Sequence, residues 1–406
     1  MKELFTLGDL YVSDFIADGE PPRGGRVEMK LVWDDARKAP RLEEITPPEF
    51  MYGQYWYRSG TNATMTNELR GIVESITSSY KLQEGDVWLD IACNDGTLLK
   101  FVPQEYKRVG IDPVDDSYVA ESSQYADKII QDYFSADAYA TTGFNPAKVV
   151  TIIAMFYDLE NPEAILEELS SVMDDDGLLV IQMSYTPLMI NQMAFDNICH
   201  EHLYYHSIQS MQGIFERSGF QIVDAQLNDI NGGSFRLYAM KNNADVKKFG
   251  TQPYRDVCKA RVDSLIAYEK DNGYNTPEIW TAFYNNLQTL KQETYDFIVA
   301  EKAKGKKIWG YGASTKGNTL LQYFNIDHTL IDGIAERSPY KFGLRTVGTE
   351  IPIYSEEEMR AANPDYLLVL PWHFINEFVK REENFLKAGG KFIVPCPRFE
   401  VIGYDQ

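Results

Sequence analysis

VWLDIACNDGTLLKFV (87–102) decides the fold. VWLDI reads as a strand, CNDG as a turn of small and polar residues, and TLLKFV as the apolar start of a helix. RVGID (108–112) is the next strand, with Asp112 at its end, and KII (128–130) is a shorter one. KVVTIIAMF (148–156) is a long apolar run with Val and Ile, as expected of a strand buried on both faces. NPEAILEELSSVM (161–173) predicts a helix with Pro162 in its first turn, and LLVIQM (178–183) a further strand. Strands alternating with helices specify a parallel sheet with covered faces.

Two later strands differ. GFQIVDAQLND (219–229) and GSFRLYAM (233–240) are joined by a short turn at Asn231-Gly232-Gly233, which predicts an antiparallel hairpin. A parallel sheet ending in such a hairpin resembles the class I methyltransferase fold. The fold class is therefore α/β, with this Rossmann-like domain at its centre.

Upstream, NATMTNELRGIVESI (62–76) predicts a helix. Residues 1–56, punctuated by Pro21-Pro22, Gly24-Gly25 and Pro47-Pro48, read as a small irregular lobe. Downstream, residues 253–303 read as two charged helices. Strand–helix alternation then restarts: KIWGYGA (307–313), LIDGIAE (330–336), YLLVLPW (366–372) and KFIVPC (391–396) predict strands. EEEMRAA (356–362) and INEFVKREENFLKA (375–388) predict helices. The expected domains are the lobe (1–56), the central domain (57–245), and a helical connector with a second Rossmann-like domain (246–406).

Composition bounds the function. The 406 residues carry a net charge of −21, a field that repels nucleic acid. No apolar run approaches the roughly 20 residues of a membrane helix. The four cysteines, Cys93, Cys199, Cys258 and Cys396, form no CxxC pair, which points to free thiols and a cytoplasmic location.

The turn at 92–96 carries two carboxylates, Asp90 and Asp95, so it does not suit a phosphate. It suits a ligand with hydroxyls and positive charge, and S-adenosylmethionine (SAM) has both. Asp112 is placed to accept the ribose hydroxyls, by the logic that acidic strand ends use for dinucleotides. Asp132 and Tyr133, after the third strand, are placed for an adenine edge. The expected cofactor residues are Asp90, Ala92, Cys93, Asn94, Asp95, Gly96, Asp112, Asp132 and Tyr133. A helix cap by Asn94 or Asp95 and a solvated Asp112 is the plainer reading.

WGYGASTKGNTLLQYF (309–324) opens the second α/β unit. Backbone amides at a helix start, with Ser314, Lys316 and Asn318 around them, make a diphosphate site. The turn is neither GxGxxG nor a Walker sequence, and a plain strand–helix turn is an equal reading.

FDNICHEHLYYHS (195–207) holds three of the chain's five histidines beside Glu201. His200 and His202 suggest a metal, but no cysteine pair or further histidine has zinc spacing. General acid/base work fits better, with Glu201 sharing protons with His202.

These pieces together resemble the nucleotide-sugar C-methyltransferases of deoxysugar biosynthesis. The matching segments are YWYRSGTNATM (55–65), LDIACNDGTLL (89–99), MFYDLENP (155–162), NICHEHLYYHS (197–207), NGGSFRLY (231–238) and GYGASTKGNTLLQYF (310–324). The resemblance implies SAM as methyl donor, with S-adenosylhomocysteine as product, and a nucleotide-diphosphate keto sugar as substrate. It implies His202 as a base that forms an enolate, Glu201 as its partner, and Tyr57 as a donor or sugar contact. It assigns Tyr55, Arg58, Asp158, Cys199, Tyr311, Ser314, Lys316, Asn318 and Trp372 to the substrate.

Three departures stand out. WDDARKAPRLEEI (33–45) lacks the family's zinc cysteines, so no metal is expected. Cys199 replaces a frequent tyrosine, and Asp158 a frequent histidine. Methylation at oxygen or nitrogen, an NAD-dependent oxidoreductase and an inert nucleotide-sugar binder are the competing readings. The sequence leaves the oligomeric state open.

Overall fold

The computed structural model describes residues 1–47, 50–51 and 56–404. Tyr55, expected at the substrate, lies outside them. The N-terminal lobe is not irregular. Lys2–Tyr11 (β1), Arg26–Asp34 (β2) and Ala39–Leu42 (β3) form an antiparallel sheet in the order β1-β2-β3. Alternation hid here because the register shifts between Thr6 and Asp9, around Gly8 at φ +84°. Phe5, Leu7 and Leu10 are nonetheless buried with Met29, Leu31 and Trp33. Pro21-Pro22 and Gly24-Gly25, which suggested an irregular lobe, lie between strands.

The lobe is a bridge. Phe15–Ile16 pairs antiparallel with Arg345–Thr346 of the C-terminal unit. On its other side, the Leu42 amide donates to the Leu203 carbonyl and the Tyr205 amide to the Pro40 carbonyl. Arg37 donates to both carboxylate oxygens of Glu163. Arg37 and Arg41 lie 5.1 and 5.3 Å from the ring centroid of Tyr204. The histidine-rich run is thus clamped on the lobe side by backbone pairing and two guanidinium groups.

The central sheet has seven strands: Val87–Ile91 (β4), Lys107–Ile111 (β5), Lys128–Ile130 (β6), Ala147–Ile153 (β7), Met173–Ser184 (β8), Phe220–Asn228 (β9) and Ser234–Lys241 (β10). Their order is β9-β10-β8-β7-β4-β5-β6. Pairing is parallel from β8 to β6, and β10 is antiparallel to both β8 and β9. Around it pack the helices Ala63–Ser79 (α1), Asp116–Ser122 (α2), Pro162–Val172 (α3) and Ile208–Arg217 (α4). The hairpin turn needs its glycines: a Cβ on Gly233 would meet Leu188 at 2.5 Å.

One expected element shrinks. The helix predicted after CNDG is a single 3-10 turn, Leu99–Phe101. Pro103 holds Val102 extended (φ −66°, ψ 126°) and ends it.

Two helices, Gln252–Asp271 (α5) and Ile279–Ala303 (α6), connect to the C-terminal unit as expected. Its sheet comprises Ile308–Tyr311 (β11), Ile334–Glu336 (β12), Ile353–Ser355 (β13), Tyr366–Val369 (β14), Lys391–Val394 (β15) and Glu400–Ile402 (β16), in the order β13-β12-β11-β14-β15-β16. Only β16 runs antiparallel, so the unit is a Rossmann-like sheet with β11 and β14 at its centre. Thr315–Phe324 (α7) follows β11, with Ser314 as N-cap accepting from the Gly317 amide. Among the described residues, no helix is long and apolar enough to cross a membrane.

Candidate active site

At the end of β4 the chain makes a left-handed turn: φ is +59° at Ala92, +51° at Asn94 and +77° at Gly96. A residue with a Cβ pays roughly 1–2 kcal/mol for that region, asparagine less than most, so Ala92 holds backbone strain at this strand end. The Asn94 amide donates to Asp112 Oδ2 and the Val114 amide to Oδ1, which aims the Asp112 carboxylate across the strand ends. Burial pushes the Asp112 carboxyl up, and its bonds to those two amides oppose it. Asp90 is buried, bonded to Thr151 on β7, and pushed up to about 7 by burial. The Cys93 side chain packs on β5, where a Cβ on Gly110 would strike its sulfur at 2.6 Å. Only its backbone can serve a ligand. Asp132 and Tyr133 lie exposed beyond β6. The turn, with its acidic surround and no adjacent cation from its own loop, fits a positively charged, hydroxyl-bearing cofactor.

A strap crosses this turn. Asn94 Nδ2 donates to the Tyr57 carbonyl, the Ser59 amide donates to Asn94 Oδ1, and the Gly60 amide donates to Asp95 Oδ2. A Cβ on Gly60 would lie 2.9 Å from Thr97 Oγ1, so this approach needs glycine. Asp95 also accepts from the Thr97 amide and hydroxyl. Asn94 and Asp95 therefore hold the strap, a role that the sequence did not reveal.

The strap is also one wall of a cavity of about 640 Å³ between the central domain and the C-terminal unit. Tyr57, Arg58, Tyr311 and Ser314 line it, joined by Glu336, Arg337, Tyr340, Lys341 and Arg381. Arg58 lies 3.8 Å over the Tyr118 ring and donates to Glu121 and Ser117. The Tyr311 hydroxyl is engaged with Glu356 and Glu382, at 2.9 and 2.8 Å. Glu336, at the end of β12, accepts from the Ala313, Arg337 and Ser338 amides. It occupies in this sheet the place Asp112 holds in the other, a parallel that LIDGIAE carries in the sequence itself.

The three histidines of the run separate. His200 points into the lobe beside Leu10 and Val27, and burial lowers it to about 4. His206 stacks on Tyr204 and lies 3.2 Å from Ser210 Oγ. Only His202 joins Glu201 and Cys199, with one ligand-capable atom of each within 4.8 Å of the others. His202 Nδ1 lies 2.8 Å from the Asn197 carbonyl oxygen, which can only accept. In the neutral ring Nδ1 therefore carries the proton and Nε2 the lone pair. Burial, then the nearby Lys316, lowers His202 to about 3. Burial pushes Glu201 up to about 7, against the pull of Lys316. The Tyr157 ring centroid is 4.1 Å from that of His202, and the charge of Asp158 acts on Cys199 and Tyr205. By distance the trio could hold a metal ion, but the Lys316 ammonium beside it opposes a divalent charge.

Five expected substrate residues lie outside the cavity: Asp158 and Cys199 belong to the surroundings of His202, and three others have different partners. Lys316 reaches out of its own unit to donate to Asn197 Oδ1. Asn318 is buried and donates to the Asp14 carbonyl, joining lobe to α7. Trp372 is buried, and its indole donates to Asp196. The cavity and the His202 cluster meet at Thr315, which lines both the cavity and the narrow gap beside Cys199 and Glu201.

Known proteins resemble parts of the chain. Residues 63–225 match a family profile described as a methyltransferase domain, and residues 229–397 one described as a C-methyltransferase C-terminal domain. The chain is 27% identical over 368 residues to C-methyltransferase NovU of Streptomyces niveus, covering 90% of this chain and 85% of that protein. Among solved structures, the complex of the Haloferax volcanii Trm112 activator with a methyltransferase matches 45% of this chain and 94% of that one, at 13% identity and TM-score 0.37. Magnesium protoporphyrin IX methyltransferase from Synechocystis PCC 6803 with bound SAM covers 47% of this chain and 87% of that one, at 14% identity and TM-score 0.34.

The topology and the strained acidic turn, with the matched domain, define a class I SAM-dependent methyltransferase. Its C-terminal unit matches the C-methyltransferase C-terminal profile, and over most of its length the chain is similar to C-methyltransferase NovU.

Proposed function

We propose that the enzyme methylates a carbon next to the ketone of a nucleotide-diphosphate sugar, through an enolate made by His202. The observation that carries this reading is the Nδ1 bond to Asn197, which leaves Nε2 of a buried, neutral imidazole as a proton acceptor. Asp112 and the turn at Ala92–Gly96 hold SAM, which supplies the methyl group from its sulfonium. His202 takes the ring proton, and ionised Glu201 pairs with the imidazolium that forms. Tyr57 and Arg58 contact substrate from the strap. The cavity takes the nucleoside diphosphate: the N-terminus of α7 and the Arg337 and Arg381 side chains supply donors for its phosphates. The sugar extends past Thr315 toward His202.

Ligands that bind only the native state raise its stability, so thermal shift is a direct test. S-adenosylhomocysteine and UDP or dTDP should each raise the melting temperature, and NADH should not. Stabilisation by NADH alone would replace this reading with an oxidoreductase. Nucleotide binding without turnover of any keto sugar would leave an inert binder.

A further inference from the structure

Lys316 was expected at a diphosphate, yet its ammonium is held at the catalytic run. It donates to Asn197 Oδ1, while the carbonyl of the same Asn197 accepts from His202 Nδ1. One residue therefore sets the positions of a cation and a base, although the two come from different units of the fold. Lysine is a costly choice in the first turn of α7, where the helix dipole disfavours a positive charge by roughly 0.3–1 kcal/mol. Lys316 is also the cation whose charge acts on all three of Cys199, Glu201 and His202.

We propose that Lys316 is a catalytic residue: its ammonium meets the sugar's carbonyl oxygen and stabilises the enolate that His202 creates. This role rests on the keto-sugar reading of the site. In the step, the C–H bond next to the ketone breaks, and its proton goes to His202 Nε2. Its electron pair forms the carbon–carbon double bond as the carbonyl pair moves onto oxygen, beside Lys316. Attack on the methyl group then returns the ketone and leaves the sulfur its pair. Without a cation, that oxygen would develop its charge next to Glu201 and Asp158. A preorganised donor at such an oxyanion is worth roughly 10²–10³-fold in rate. Burial, with the same ammonium adding to it, keeps His202 unprotonated at neutral pH and so available as the base.

The test uses the whole enzyme with S-adenosylhomocysteine in place of SAM, so that proton removal is read without methyl transfer. UDP- and dTDP-4-keto-6-deoxyhexose in D₂O serve as probes, and deuterium entering the ring is followed by NMR. Lys316→Ala should exchange at least ~10²-fold more slowly than wild type. Its affinities for S-adenosylhomocysteine and for UDP or dTDP should stay within about threefold, and added ethylamine should restore part of the exchange. Lys316→Met, which keeps most of the side chain's stem without its donor, replaces the alanine variant if that one no longer binds S-adenosylhomocysteine. Undiminished exchange in either variant would overturn the proposal. So would a loss confined to UDP or dTDP affinity, which would return Lys316 to the diphosphate. Failure of wild type to exchange either probe would instead count against the keto-sugar reading itself.

Discussion

At the end of β4 the Asn94 amide donates to Asp112, and at the end of β11 the Ala313 amide donates to Glu336. In both units the first turn is tied to an acid at the end of the neighbouring strand. The segments after the two turns differ. After Gly96 there is only a 3-10 turn, and Asp90, Asp95 and Asp112 gather beside it. After Gly312 comes α7, a full helix with a serine cap, and Arg337, Lys341 and Arg381 line the same cavity. Helix N-termini and guanidinium groups attract anions; a cluster of carboxylates without them attracts cations. On the proposed reading, the same strand–turn device serves a sulfonium in one unit and phosphates in the other.

The comparison breaks if the two acids are interchangeable. Asp112→Ala removes the carboxylate proposed to accept the two ribose hydroxyls, each such bond being worth about 1.5–3 kcal/mol. Calorimetry should show S-adenosylhomocysteine affinity falling by ~10²-fold or more, with UDP or dTDP affinity unchanged. Glu336 already accepts three backbone amides and has less capacity left for a ligand. Glu336→Ala should weaken UDP or dTDP by roughly tenfold and spare S-adenosylhomocysteine. If either variant weakened both ligands equally, the division of labour would be wrong.

A smaller effect sharpens the region between the two turns. Glu201 is pushed up to about 7 by burial, so its carboxylate forms as pH rises through neutrality. If the ionised form supports His202, kcat/KM should rise with pH through about 7 and then level. Glu201→Gln should remove that rise and lower the plateau severalfold. A rise that survives in the variant would assign it to another group.

Much of this architecture was legible in the chain. Long Val- and Ile-rich runs and the Asn231–Gly233 turn announced the central sheet and its hairpin, because burial on both faces and hairpin chemistry are written locally. The lobe was missed for a local reason too: the irregularity around Gly8 breaks the period of β1. The acidic strand end of β5 was legible and the equivalent one of β12 was overlooked. Lys316, Asn318 and Trp372 went to other partners because their contacts cross between units, with Asn197, Asp14 and Asp196. Sequence order carries no signal for such pairs. Of the three histidines in one run, only a fold could say that His200 and His206 turn away from the Glu201 cluster.

The account stands on His202 as the base. Its most direct test is deuterium entry from D₂O into the sugar ring of UDP- or dTDP-4-keto-6-deoxyhexose, with S-adenosylhomocysteine bound, comparing wild type with His202→Ala. The predicted result is exchange by wild type that falls by at least ~10²-fold in the variant, with affinity for both ligands retained. Exchange at the wild-type rate in His202→Ala, or wild-type methylation at oxygen without any exchange, would contradict it.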